Sequence, residues 1–298
     1  MKKNLLIICI LFSLQSSACD ICGCSTGNYF IGPFPQFSKH FFGIRYTFRS
    51  FQSRAALDET QFSKDFYQTT ELWAGYNIGR KWQLLAFVPY NINKQSSDDG
   101  IKKSNGLGDI SVIANYNLLN AKKNDRHANR ISQQLLIGGG IKMPTGKFAV
   151  DANDLIPTAN NQAGTGSVDF ILNVMYTYHI NDWGINTNLN YKINQNANQY
   201  KFGNRLSSGI FLFHSISNAK ITFNPNVGVL YENLKSNELN KMKVDDTGGN
   251  ALLASGGMEI NFSKMAIGCN AQLPVSQNFS NQQTITKIRG MAHVTLTF

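Results

Sequence analysis

The final residues of the chain, Gly290-Met291-Ala292-His293-Val294-Thr295-Leu296-Thr297-Phe298, alternate in character. Strand side chains repeat every two residues, so Ala292, Val294, Leu296 and Phe298 share one face and Met291, His293, Thr295 and Thr297 the other. An apolar row on a terminal strand is an aggregation edge unless it meets a partner sheet or lipid. Behind a secretory signal, such a strand reads as the closing strand of an outer-membrane β-barrel.

The start of the chain supplies that signal. Lys2 and Lys3 precede an apolar stretch, Leu5 to Leu14, and Ser16-Ser17-Ala18 forms a small-residue cleavage site, so residues 1–18 read as a signal peptide. The stretch is too short for a transmembrane helix of roughly 20 apolar residues. An alternative makes Cys19 the acylated first residue of a lipoprotein, although the usual Leu is missing three positions before it. Charged residues make up only 15% and aromatics 11%, which is neither a disordered nor a disulfide-dense composition. The net charge of +10 comes without a clustered basic helix or nucleic-acid motif, so nucleic acid is not expected as a partner. Loops near lipopolysaccharide phosphates, a basic lumen or scattered solubilising charge all accommodate the excess.

Alternation recurs through the chain in runs near the nine to eleven or so residues of a tilted spanning strand. Twelve strands are predicted at about 41–51, 67–78, 81–91, 108–118, 133–143, 167–179, 183–194, 204–216, 219–232, 251–262, 265–274 and 286–298. Phe42, Ile44, Tyr46 and Phe48 oppose Arg45, Thr47 and Arg49; Ile185, Leu189, Tyr191 and Ile193 oppose Asn186, Asn188, Asn190, Lys192 and Asn194. A dry core would not accept that many unpaired amides. Short turns near 79–80, 180–182, 217–218 and 263–264, and a longer one at 119–132, alternate with polar loops at 52–66, 92–107, 144–166, 195–203, 233–250 and 275–285. Bacterial barrels place short turns in the periplasm and long loops outside. The expected fold is therefore all-β: an antiparallel transmembrane β-barrel of about twelve strands over 41–298, preceded by a short Cys-containing segment. A large soluble β-sandwich would have to hide the same apolar rows without lipid.

Four phrases occur in order: Phe87-Val88-Pro89-Tyr90, Asn105-Gly106-Leu107-Gly108-Asp109-Ile110, Lys142-Met143-Pro144-Thr145-Gly146-Lys147 and Gly164-Thr165-Gly166-Ser167-Val168-Asp169-Phe170. This series resembles the outer-membrane β-barrel family named for the meta-pathway of phenol degradation, whose members are often called transporters. The resemblance implies a barrel and passage of small organic molecules. From the residues themselves, Asp109 and Asp169 follow glycines at strand starts and are expected to face each other or a basic lumen residue, Arg45, Arg49 or Lys142, because buried charges need partners.

Cys19-Asp20-Ile21-Cys22-Gly23-Cys24 is what a barrel does not explain. Cys19, Cys22 and Cys24, completed by His40 or water, can converge on copper(I) or zinc, since thiolates suit soft metals. An oxidising periplasm instead favours a disulfide. Residues 19–40 are expected as a periplasmic Cys-rich segment or a lumen plug. Cys269 falls on a lipid-facing row with Ile267, Ala271 and Leu273. The functional expectation is a channel or transporter for small solutes in contact with outer-membrane lipid and lipopolysaccharide and inserted by the barrel-assembly machinery. The alternatives are a sensor or anchor barrel, or an outer-membrane hydrolase using His179, His214 or His293. The match Gly23-Cys24-Ser25-Thr26-Gly27 lacks the strand and helix that a nucleophile elbow needs, so no catalytic residues are expected.

Overall fold

The computed structural model describes residues 39–54, 62–97, 100–124, 130–148 and 162–298. The signal and Cys19, Cys22 and Cys24 lie outside these. Twelve antiparallel strands form the wall: β1 (Phe41–Arg54), β2 (Phe62–Ile78), β3 (Trp82–Ser97), β4 in two halves (Gly100–Leu107 and Ser111–Asn124), β5 (Arg130–Lys142), β6 (Asp169–Ile180), β7 (Trp183–Ile193), β8 (Arg205–His214), β9 (Thr222–Leu234), β10 (Gly249–Asn261), β11 (Met265–Phe279) and β12 (Thr284–Thr297). Each pairs with its sequence neighbours, and β1 pairs with β12 to close the ring.

The seam follows the terminal alternation. Ile44 lies opposite Val294 and Phe42 opposite Leu296, all four pointing outward and exposed. Beyond the strand ends, the His40 N–H donates to the Phe298 carbonyl at 3.2 Å and the Phe298 N–H to the His40 carbonyl at 3.0 Å. Outward rows are apolar on every side, with Leu72, Leu84, Phe170, Ile210 and Val229 among the exposed residues. Tyr76, Trp82 and Trp183 flank this belt at the short-turn end, and Tyr90 and Tyr231 toward the other, as interfacial girdles require. Cys269 is exposed on the outer face, as expected.

Several boundaries differ from the sequence reading. β1 runs on to Arg54, β2 begins at Phe62, β3 reaches Ser97 and β11 reaches Phe279, so much of the predicted loops 52–66, 92–107 and 275–285 is strand. Polar residues there broke the apolar alternation, yet the ladders continue above the level where lipid demands apolar side chains. The predicted turn 119–132 shrinks likewise, because β4 runs to Asn124 and β5 starts at Arg130. Four two-residue strands, Asn196–Ala197, Tyr200–Lys201, Glu238–Leu239 and Met242–Lys243, form a separate small sheet in the long-loop end.

The interior is close-fitting at Gly75, where a Cβ would lie 2.1 Å from the Phe41 ring. Replacing Gly75 by Val should therefore destabilise the folded barrel by about 1–3 kcal/mol, read as a lower urea midpoint in detergent. An unchanged midpoint would mean that Phe41 does not pack there.

Candidate functional site

The lumen holds the chemistry-bearing side chains, and its wall is uneven. Phe41, Trp73, Leu85, Phe87, Ile113, Leu136, Ile171 and Met175 point inward from β1–β6 as a continuous apolar cluster. Simple alternation missed most of these. The signal was present in unbroken apolar runs such as Leu84-Leu85-Ala86-Phe87-Val88, which mark strands apolar on both faces. Amides stand between these apolar side chains and around the rest of the wall, where Phe211, Leu230, Leu253 and Met291 form a second apolar cluster on β8, β9, β10 and β12. Asn173 Nδ2 donates to Asn115 Oδ1 at 2.8 Å, Asn186 Nδ2 to Thr177 Oγ1 at 2.8 Å and Asn270 Nδ2 to Ser255 Oγ at 2.7 Å. The side-chain oxygens of Asn173, Asn186, Asn190, Asn194 and Asn226 accept no hydrogen bond from the protein. These oxygens are closed off from the open lumen, and buried acceptors demand partners, so internal water is the partner they call for.

The long-loop mouth is built around Lys142. Its ammonium lies 2.6 Å from Asp109 Oδ2 and 2.8 Å from Asp169 Oδ2 and also donates to Thr165 Oγ1; all four residues are buried. Asp109 further accepts from the backbone N–H groups of Gly146 at 3.0 Å and Thr165 at 2.9 Å, and Asp169 from Ser167 Oγ at 2.7 Å and the Gln195 N–H at 3.0 Å. From the inner face of β3, Asn91 Nδ2 donates to the Ala163 carbonyl at 2.8 Å and Asn93 Nδ2 to the Gln162 carbonyl at 3.2 Å. Inward-facing groups thus hold the 162–165 backbone inside the mouth and narrow it. Gly164 permits this, because a Cβ there would come within 2.5 Å of the Gly146 carbonyl oxygen. Thr145 closes the turn, accepting from the Ile110 N–H and donating to the Gly108 carbonyl, both at 2.9 Å. The ordered phrases of the sequence, far apart along the chain, converge here.

Two further ion clusters line the wall. Glu232 receives Arg205 and Arg289 at 2.8 Å each, and Arg49, opposite Arg289 in the β1–β12 register, stands beside them. Arg45 pairs with Glu71 on the adjacent strand, its guanidinium 5.3 Å from the Trp73 ring and 5.6 Å from Phe87. Of the basic residues expected to meet Asp109 and Asp169, Lys142 does so, whereas Arg45 and Arg49 serve these other clusters. Glu232, Arg205 and Arg289 were not legible as a group: Glu232 lies 27 residues from Arg205 and 57 from Arg289 in sequence.

The histidines have individual surroundings. His179 packs edge-on against Phe213 at 4.7 Å, and His214 lies 4.5 Å from the exposed Trp183. His293 sits inward with Nδ1 3.2 Å from Thr295 Oγ1 and Nε2 3.6 Å from Glu259. His40 stacks on Tyr76 at 4.6 Å, and its Nδ1 accepts the Asn77 N–H at 3.1 Å.

A closed antiparallel barrel with an apolar outer belt and buried polar groups inside is an outer-membrane β-barrel, and it places the chain in the cell outer membrane. Residues 47–285 match the family model described as "Putative MetA-pathway of phenol degradation", and the chain belongs to that family. Among solved structures it is similar in fold to an outer membrane channel from Pseudomonas putida F1, with TM-score 0.64, 13% identity and coverage of 92% of this chain and 99% of that one. The β-domain of the Bordetella autotransporter BrkA is also similar in fold, with TM-score 0.50, 10% identity and coverage of 87% and 99%. No curated protein sequence matches the chain.

Replacing Lys142 by Met would take from Asp109 and Asp169 the ammonium that they contact directly, leaving only the nearby charge of Lys192, and breaking a buried pair costs about 3–5 kcal/mol. The variant should unfold at markedly lower urea, and adding Asp109→Asn with Asp169→Asn should restore part of the loss. A single variant as stable as the parent would contradict the role assigned to Lys142.

Proposed function

We propose that the barrel is a conduit for small solutes across the outer membrane. The observation that carries this reading is the closed twelve-stranded ring whose interior is lined by amide, hydroxyl and charged side chains, among them Asn91, Asn188, Asn190, Lys192 and Arg49. Such a lining keeps the interior wet, as passage of a polar molecule requires. The inturned 162–165 segment limits passage to small molecules, and the description of the similar Pseudomonas putida structure as a channel supports the same reading. Insertion is assigned to the barrel-assembly machinery.

Purified protein in planar bilayers should show discrete ion conductance, and liposomes containing it should swell in small solutes. Thr165→Ala, which removes one tie of the inturned segment, should raise the conductance of single openings. Absence of both conductance and swelling would leave a sensor or anchor barrel as the better account.

The Cys19, Cys22 and Cys24 segment is proposed as a soft-metal site for copper(I) or zinc on the periplasmic side, because β1 starts at the short-turn end. His40 remains eligible as a fourth ligand only through Nε2, since Nδ1 is engaged by Asn77. Full-length protein should bind one equivalent of metal, and a Cys22→Ser, Cys24→Ser variant should bind none. Equal binding by both, or oxidised cysteines that take up no metal, would exclude this site.

A further inference from the structure

On the outer wall of β2–β4, each outward row carries a lysine near its long-loop end, with Phe62 beyond Lys64 on β2 and Ile101 beyond Lys103 on β4. Along β3 the outward row runs Trp82, Leu84, Ala86, Val88, Tyr90 and Ile92 and then changes to Lys94, which is exposed. From Trp82 to Ile92 the strand rises about 33 Å, or about 25 Å along the membrane normal at a tilt near 40°, which is the height of an apolar barrel belt. Lys94 therefore stands one outward position above the belt, at the level of the outer-leaflet headgroups when the long loops face outside the cell.

Two more lysines join it. Lys103 on β4 is the direct register partner of Lys94, and Lys64 on β2 is diagonal to it, because Phe66 lies opposite Lys94 and Lys64 opposite Ser96. Directly opposed residues have Cβ atoms about 5 Å apart and diagonal ones about 7–8 Å. All three lysines are exposed, and among the described residues none of them makes an ion pair. Like charges set opposite each other destabilise a sheet. Guarding an unpaired edge explains a lysine such as Lys103 on the Gly100–Leu107 half of β4. It does not explain Lys64 or Lys94, whose strands are paired on both sides.

We propose that Lys64, Lys94 and Lys103 form a binding site for the bisphosphorylated sugar headgroup of an outer-leaflet glycolipid, whose chains lie along the apolar belt beneath. This rests on the outer-membrane placement of the barrel and not on its conducting anything. A phosphate brings compensating charge to the three ammonium groups while the acyl chains meet Tyr90, Ile92 and Leu107.

The full-length protein in detergent is titrated with bisphosphorylated lipid A, with lipid A stripped of phosphate and with inorganic phosphate. Each surface lysine contributes roughly five-fold to binding of an anionic headgroup. The K64Q/K94Q/K103Q variant should therefore bind bisphosphorylated lipid A on the order of a hundred-fold more weakly. The K64R/K94R/K103R variant should retain binding, and the parent should prefer the phosphorylated lipid and lose affinity with salt. Folding of each variant is verified by heat-modifiable gel mobility, and its conductance is recorded in parallel, so that loss of headgroup binding is read separately from loss of conduction. Parental affinity in the glutamine variant would overturn the proposal. So would inorganic phosphate binding as tightly as lipid A, which would indicate a free-anion site, or an equal loss in a K241Q/K243Q control, which would indicate diffuse charge.

Discussion

A backbone N–H or C=O that enters hydrocarbon must find its partner within the sheet, because no water is present to take its place. In this chain that requirement is met only if the first and last strands meet. The β1–β12 ladder, extended by the reciprocal His40 and Phe298 bonds, removes the two edges that an open twelve-stranded sheet would expose. Closure fixes which residues face lipid and which face the lumen, since a one-residue slip would turn Arg45 and Arg49 out and Ile44 and Phe48 in. Every other feature depends on that register.

Closure also creates an interior that must reconcile charge with confinement. Lys142 with Asp109 and Asp169, Glu232 with Arg205 and Arg289, and Arg45 with Glu71 each join side chains from different strands across the wall or lumen. Buried pairs of this kind add little net stability but are costly to break. Their effect is to hold one arrangement of the mouth. The first cluster binds backbone as well as side chains, so it positions the 162–165 segment rather than only neutralising charge. The result is a narrow path whose wall interleaves ion clusters and amides with two apolar clusters.

The architecture was legible because alternation survives wherever lipid enforces it: the outward rows of β1, β3 and β7 and the terminal strand follow the sequence reading residue by residue. Strand ends were misjudged where the ladder leaves the membrane, as at Gln52-Ser53-Arg54 and Asn278-Phe279, since polar side chains there face water and the period loses its contrast. The lumen was partly legible. Lys142, Asp109 and Asp169 stood out as charges beside glycines within recurring phrases, whereas Glu232 with Arg205 and Arg289 depends on which strands lie across the lumen, which alternation does not encode. The apolar inward cluster was hidden for a different reason, because the same residue types serve lipid outside and packing inside. The lysines at 64, 94 and 103 become a group only once the register aligns three strands.

The closed register is the claim on which the lumen, its clusters and the outer-wall lysines all rest, and a crosslink tests it directly. Ile44→Cys and Val294→Cys place two thiols at directly opposed outward positions across the seam, in a background with Cys269 replaced by Ser. Oxidation of the membrane-inserted protein should give an intramolecular disulfide, while an Ile44→Cys, Leu296→Cys pair offset by one outward position should crosslink far less. Failure of the 44–294 pair to crosslink, or crosslinks formed chiefly between separate chains, would contradict the closed barrel.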